Sequence, residues 1–115
     1  MNALSDARPW GRWEILATGR GWQVKRLTVK SGKRLSLQFH RHRSEYWVVV
    51  AGQGLLTLGK RTIRIARGST AHIPIGMVHR VQNTGRELLQ IIEVQMGRRI
   101  AERDIVRLAD DFGRV

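Results

Sequence analysis

The 115-residue chain is 42% hydrophobic, has no cysteine and carries a formal charge of +12. That length leaves room for a single domain, 1–115, with one core, and the lack of cysteine excludes disulfides and thiolate catalysis. No apolar run reaches the roughly 18 residues of a membrane span and residues 1–10 lack the apolar centre of a signal peptide, so a soluble, cytoplasmic protein is expected.

After an N-terminal arm, Met1 to Trp13, the pattern reads as short strands between turn signals. Residues 23–29 alternate apolar and polar, and Lys30-Ser31-Gly32-Lys33 reads as a turn. Residues 35–40 alternate again, and 46–51 form a continuous apolar, β-branched run typical of a buried strand. Gly52-Gln53-Gly54 supplies a tight turn, and 55–58 with 62–65 suggests a hairpin about Gly59-Lys60. Strands at 69–73 and 77–82 flank Pro74-Ile75-Gly76, and 88–95 is the last long strand. A turn or two of helix is expected over 101–108, with Glu102 and Asp104 early and Arg107 late. The spacing of about nine short strands is that of a sandwich, jelly roll or barrel.

The basic residues come singly or in pairs, such as Lys25-Arg26, Lys33-Arg34, Lys60-Arg61 and Arg98-Arg99. A field of this sign attracts nucleic acid or small phosphorylated molecules. No polybasic run or nucleic-acid-reading motif accompanies it, which favours the small ligand and no nucleic acid. Trp10, Trp13, Trp22 and Trp47 read as core residues, with stacking on a sugar face as the alternative.

Two segments carry a recognisable pattern. Gly32, Gln38, His40, Glu45 and Gly52 (motif 1, 32–52) and Gly68, Pro74, Gly76, His79 and Asn83 (motif 2, 68–83) stand at fixed spacings. They resemble the two signature motifs of the cupin superfamily, with Gln38 in place of the first histidine. The resemblance implies an all-β, single-domain cupin jelly-roll barrel with one divalent metal held by Gln38, His40, Glu45 and His79. Strand parity agrees, because residues at i and i+2 share a face. Zinc is favoured, with manganese, iron, nickel or cobalt possible. His42 shares this parity; it is read as outside the ligand set, with His40, His42, Glu45 and His79 as the alternative set and a metal-free cupin as a further one. His72 reads as a wall or surface residue.

Arg8-Pro9-Trp10-Gly11, Arg34-Leu35-Ser36-Leu37-Gln38, Glu45-x-Trp47, Ile92-Glu93-Val94-Gln95 and Asp104-Ile105-Val106-Arg107 narrow the resemblance. Together they look like the type II mannose-6-phosphate isomerase domain, across almost the whole chain. The family's run of three histidines is His40-Arg41-His42 here, and Tyr46 stands where histidine is common. The resemblance implies metal-dependent interconversion of mannose 6-phosphate and fructose 6-phosphate. Glu93, with His42 as competitor, is the candidate for the proton transfer. Arg34, Lys25, Arg80 and Arg107 are the candidates for the phosphate. A homodimer is expected, with the arm shielding a partner's sheet edge. The alternative function is a non-catalytic or otherwise catalytic metal-binding cupin acting on another small anionic or sugar ligand.

Overall fold

The computed structural model describes residues 4–115. Its elements in chain order are β1 (Ser5–Arg8), β2 (Gly11–Gly19), β3 (Trp22–Val29), β4 (Leu37–Phe39), β5 (Ser44–Ala51), β6 (Gln53–Leu58), β7 (Arg61–Ala66), β8 (Thr70–Ile73), β9 (His79–Asn83), β10 (Leu89–Met96) and β11 (Val106–Ala109). Two antiparallel sheets form a jelly-roll barrel: one ordered β1-β2-β3-β10-β5-β8, the other β11-β4-β9-β6-β7. The all-β expectation holds, and no helix among the described residues is long and apolar enough to cross a membrane.

Alternation along the strands decides what fills the barrel. On β3 the inward positions are Lys25, Leu27 and Val29; on β10 they are Leu89, Ile91, Glu93 and Gln95; on β5 they are Glu45, Trp47 and Val49. The register sets Val29 beside Leu89 and Leu27 beside Ile91, but Lys25 beside Glu93. It also sets Glu45 beside Gln95. One half of the interior is therefore an apolar floor, joined by Leu56, Ile73 and Val81. The other half is polar. Burying so many polar groups is costly unless each is partnered or serves a ligand.

Turn glycines hold these strands in place. Gly52 has φ +84, and a Cβ there would lie 2.5 Å from the Leu88 carbonyl oxygen, so a side chain would force β5 and β10 apart. A Cβ on Gly97 would lie 2.1 Å from the His42 carbonyl oxygen, a contact that fixes the loop after β10 against the loop before β5.

One expectation changes, and the arm takes a definite place: Ser5–Arg8 pairs with Gly11–Glu14 at the edge of its own sheet, and residues 1–3 lie outside the described residues. The helical turn over 101–108 is absent. One backbone bond, Asp104 N–H to the Ala101 carbonyl at 3.1 Å, is what survives of it. The Ala101 and Asp104 carbonyls are taken by Arg43 and His40 instead, and Val106–Ala109 joins the sheet beside β4.

Candidate metal centre

His40, Glu45 and His79 are all buried and converge in the polar half of the barrel, each with a ligand atom within 4.8 Å of the others'. Their sources are separate. His40 follows β4, Glu45 is the second residue of β5, and His79 opens β9. Gln38 on β4 pairs in register with His79 and is buried against the same cavity.

The imidazoles are pre-oriented. His40 places Nδ1 2.6 Å from the Asp104 carbonyl, and His79 places Nδ1 2.9 Å from the Met77 carbonyl. A carbonyl only accepts, so Nδ1 carries the proton in both rings and each Nε2 keeps its lone pair. His40 Nε2 lies 3.3 Å from Glu45 Oε2. Burial pushes His40 down to about 4 and pushes His79 down as well, so both rings are neutral at pH 7. Two neutral imidazoles, a carboxylate and a nearby amide oxygen form a donor set that fits a borderline divalent ion. The two backbone carbonyls are the outer partners that such ligands ordinarily have.

Arg43 is the residue the sequence reading missed. It is 3% exposed. Its Nε donates to Glu45 Oε2 at 2.9 Å, Nη1 donates to the Ala101 carbonyl at 2.8 Å, and Nη2 lies 3.5 Å from His40 Nε2. Parity was the available signal, because Arg43 stands two residues before Glu45 on the same inward-facing side. Burial alone would raise Glu45, yet Arg43 and the two histidines hold it down to about 2. Trp47 Nε1 donates to its other oxygen at 2.9 Å.

The other candidates separate into two groups. Lys25, Glu93 and Arg107 line the same cavity as the histidines. Lys25 pairs with Glu102 and stands 4.7 Å from the Trp13 ring centroid. Glu93 is raised well above the usual carboxylate range, by burial and then by Glu45. Gln95 Nε2 bridges Glu93 and Glu45 at 3.2 and 3.3 Å. Arg34 and Arg80 point elsewhere. Arg34 forms a two-pronged pair with Asp111 at 2.7 Å, and Arg80 donates to the Leu35 and Ala109 carbonyls. His42 is exposed and outside the cavity; only its backbone amide is used, bonded to the Asp104 carboxylate. The direction of each side chain, which composition does not give, makes this division. Arg8 and Arg114, neither of them read as a site residue from the sequence, also line the cavity.

Residues 3–110 match a family model described as the C-terminal part of mannose-6-phosphate isomerase. The chain belongs to this isomerase C-terminal family. Among curated relatives, the alginate biosynthesis protein AlgA of Pseudomonas aeruginosa is 47% identical over 114 residues, covering 99% of this chain and 24% of AlgA. The xanthan biosynthesis protein XanB of Xanthomonas campestris pv. campestris is 45% identical, covering 93% of this chain and 23% of XanB. The mannose-1-phosphate guanylyltransferase ManC of Salmonella typhimurium is 43% identical, covering 94% and 22%. The chain thus spans about a quarter of the length of the relatives it matches. Solved structures at lower identity share the fold of this family domain. CapF of Staphylococcus aureus aligns with TM-score 0.78 at 20% identity over 92% of this chain and 32% of its own. The Schizosaccharomyces pombe Cnp3 cupin domain aligns with TM-score 0.72 at 14% identity over 75% and 64%. Bacillus subtilis oxalate decarboxylase, a protein with Mn(II) centres, aligns with TM-score 0.77 at 22% identity over 88% and 29%.

Proposed function

We propose that this domain interconverts mannose 6-phosphate and fructose 6-phosphate at a divalent ion held by His40, Glu45, His79 and Gln38. The observation that carries the reading is the company the metal cluster keeps. Among the described residues, two buried side-chain polar atoms lack a partner, Trp13 Nε1 and Arg107 Nε, and both residues line the cavity that contains the cluster. Both atoms are donors, so they suit a ligand rich in oxygen acceptors, as a sugar phosphate is.

The ion, once bound, supplies Lewis acidity to the carbonyl and hydroxyl oxygens of the sugar. The rest falls to the side chains. Arg107 offers its unpartnered Nε to the phosphate, and Arg8 and Arg114 line the same cavity. Glu93, raised by burial and then by Glu45, has Lys25 directly across the ladder, a cation that favours its carboxylate form. We assign that carboxylate the role of base: it takes the C2 proton of mannose 6-phosphate and returns it to C1, while the hydroxyl proton passes from O2 to O1. Trp13 and Trp10 close the apolar wall beside the sugar. Zinc is the favoured ion on donor chemistry; the manganese of the oxalate decarboxylase neighbour keeps manganese in the set to be tried.

The test is a substrate screen on the purified chain, stripped and reloaded with zinc or manganese. Mannose 6-phosphate should be consumed and free mannose should not. Equal binding of the two at moderate salt would refute the phosphate site. A loaded protein inert toward every hexose phosphate would leave it a metal-binding cupin with another task.

A further inference from the structure

Residues 98–105, between β10 and β11, form no strand, and among the described residues their one backbone–backbone hydrogen bond is Asp104 N–H to the Ala101 carbonyl. Yet three residues that line the metal cavity lean on this loop. Arg43 donates to the Ala101 carbonyl, Lys25 pairs with Glu102, and His40 Nδ1 bonds the Asp104 carbonyl. Something has to hold the loop where these contacts need it.

The strand register leads to Asp104. β11 and β4 pair Arg107 with Gln38 and Val106 with Phe39; two steps further along the same antiparallel course, Asp104 comes opposite Arg41. There its carboxylate accepts the backbone amides of Arg41, at 2.9 Å on Oδ1, and of His42, at 3.0 Å on Oδ2. Both amides lie past the end of β4, so the carboxylate stands where a ladder partner would.

We propose that Asp104 is a positioning residue for the metal centre: its carboxylate latches the loop to the His40-Arg41-His42 turn and so holds its own carbonyl where it fixes the His40 ring for an ion. The inference rests on the metal reading given above. A neutral imidazole carries one proton, and two acceptors compete for that of His40. The Asp104 carbonyl faces Nδ1 at 2.6 Å, and the Glu45 carboxylate faces Nε2 at 3.3 Å. A proton on Nδ1 leaves the Nε2 lone pair for a metal; a proton on Nε2 turns a donor toward Glu45 and closes that position. A carboxylate is the stronger acceptor, so the carbonyl prevails by its closer approach, which the latch enforces. His79 depends on no loop of this kind, because the carbonyl at its Nδ1 belongs to Met77, two residues back on the same segment. The latch therefore acts on one imidazole of the two.

The test compares wild type with Asp104→Ala, Asp104→Asn and Arg103→Ala, the last altered at an exposed neighbour on the same loop. In metal-free protein, nitrogen NMR of the imidazoles should show His40 as the Nδ1–H form in wild type and as the Nε2–H form or a mixture in Asp104→Ala, with His79 unchanged. By calorimetry, zinc affinity should fall about 10–100-fold in Asp104→Ala, the range for losing an outer partner of a metal ligand. Asn keeps one acceptor oxygen and sets an amide nitrogen against the second backbone N–H, so Asp104→Asn should lie between Asp104→Ala and wild type. Being nearly isosteric, it also carries the test if Asp104→Ala does not fold. Arg103→Ala should match wild type in both measurements. An unchanged His40 form, or wild-type zinc affinity, in both Asp104 variants would overturn the inference, as would an equal change at His79, which would mark a general loosening of the barrel. A wild-type chain that binds no ion would refute the metal reading instead, and the metal-free His40 spectrum would still decide the latch.

Discussion

Replacing Arg43 by Met tests how the polar half of the barrel is held together. Met keeps much of the volume but removes the guanidinium that donates to Glu45 at 2.9 Å and to the Ala101 carbonyl at 2.8 Å. Glu45 is 1% exposed, so its carboxylate would be left buried with no cation in contact. Removing one partner of a buried pair costs about 3–5 kcal/mol. The direction of the Glu45 shift agrees, since Arg43 is the largest of the influences that hold its carboxyl below the usual range against burial. At the lower end of the usual conversion, about 4 °C per kcal/mol for a domain of this size, the melting temperature should fall by roughly 12 °C. The assay is urea unfolding of metal-free wild type, Arg43→Met, Glu45→Gln and the double variant. The double variant should be more stable than the sum of the single losses allows, by about 2 kcal/mol or more. A loss below about 1 kcal/mol in Arg43→Met, with an additive cycle, would refute the claim that this pair organises the site.

His40→Ala and His79→Ala should each abolish stoichiometric zinc binding by calorimetry, whereas His42→Ala, altered at an exposed ring, should bind as wild type. Arg107→Ala should raise KM for mannose 6-phosphate more than it lowers kcat, since a phosphate contact acts equally in ground and transition states; equal losses in both would contradict that role. Glu93 is raised in the fold, so its contribution to stability is present below its unfolded value of 4.5 and lost as pH rises through its folded value. Glu93→Gln should therefore gain stability relative to metal-free wild type as pH climbs above 4.5, and a difference independent of pH would contradict the raised carboxyl. In metal-free protein the His40 ring resonances should titrate near 4, and a midpoint near 6.5 would mean that the ring is solvated.

Periodicity and motif spacing made the barrel legible, because inward and outward residues alternate and the fixed glycines, Pro74 and Asn83 bracket the turns. The convergence of His40, Glu45 and His79 followed from the same register. The segment 101–108 was not legible. Its helix-like composition is overridden by tertiary bonds, from His40 and Arg43 to its carbonyls and from Lys25 to Glu102. Charge counts were equally mute on direction. Arg34 and Arg80 resemble Arg107 in sequence, but the first pairs with Asp111 and the second caps backbone carbonyls, while Arg107 faces the cavity. Arg43 was overlooked because an arginine beside a histidine tract reads as solvated, although its parity with Glu45 marks it as inward.

Isomerisation by this chain's own site is tested most directly by proton NMR of the zinc-loaded chain with mannose 6-phosphate in deuterated water. Fructose 6-phosphate signals should grow only with metal bound, be lost in His79→Ala and be slowed in Glu93→Gln. An unchanged mannose 6-phosphate spectrum, from protein shown to hold one ion per chain and to bind the sugar phosphate, would contradict it.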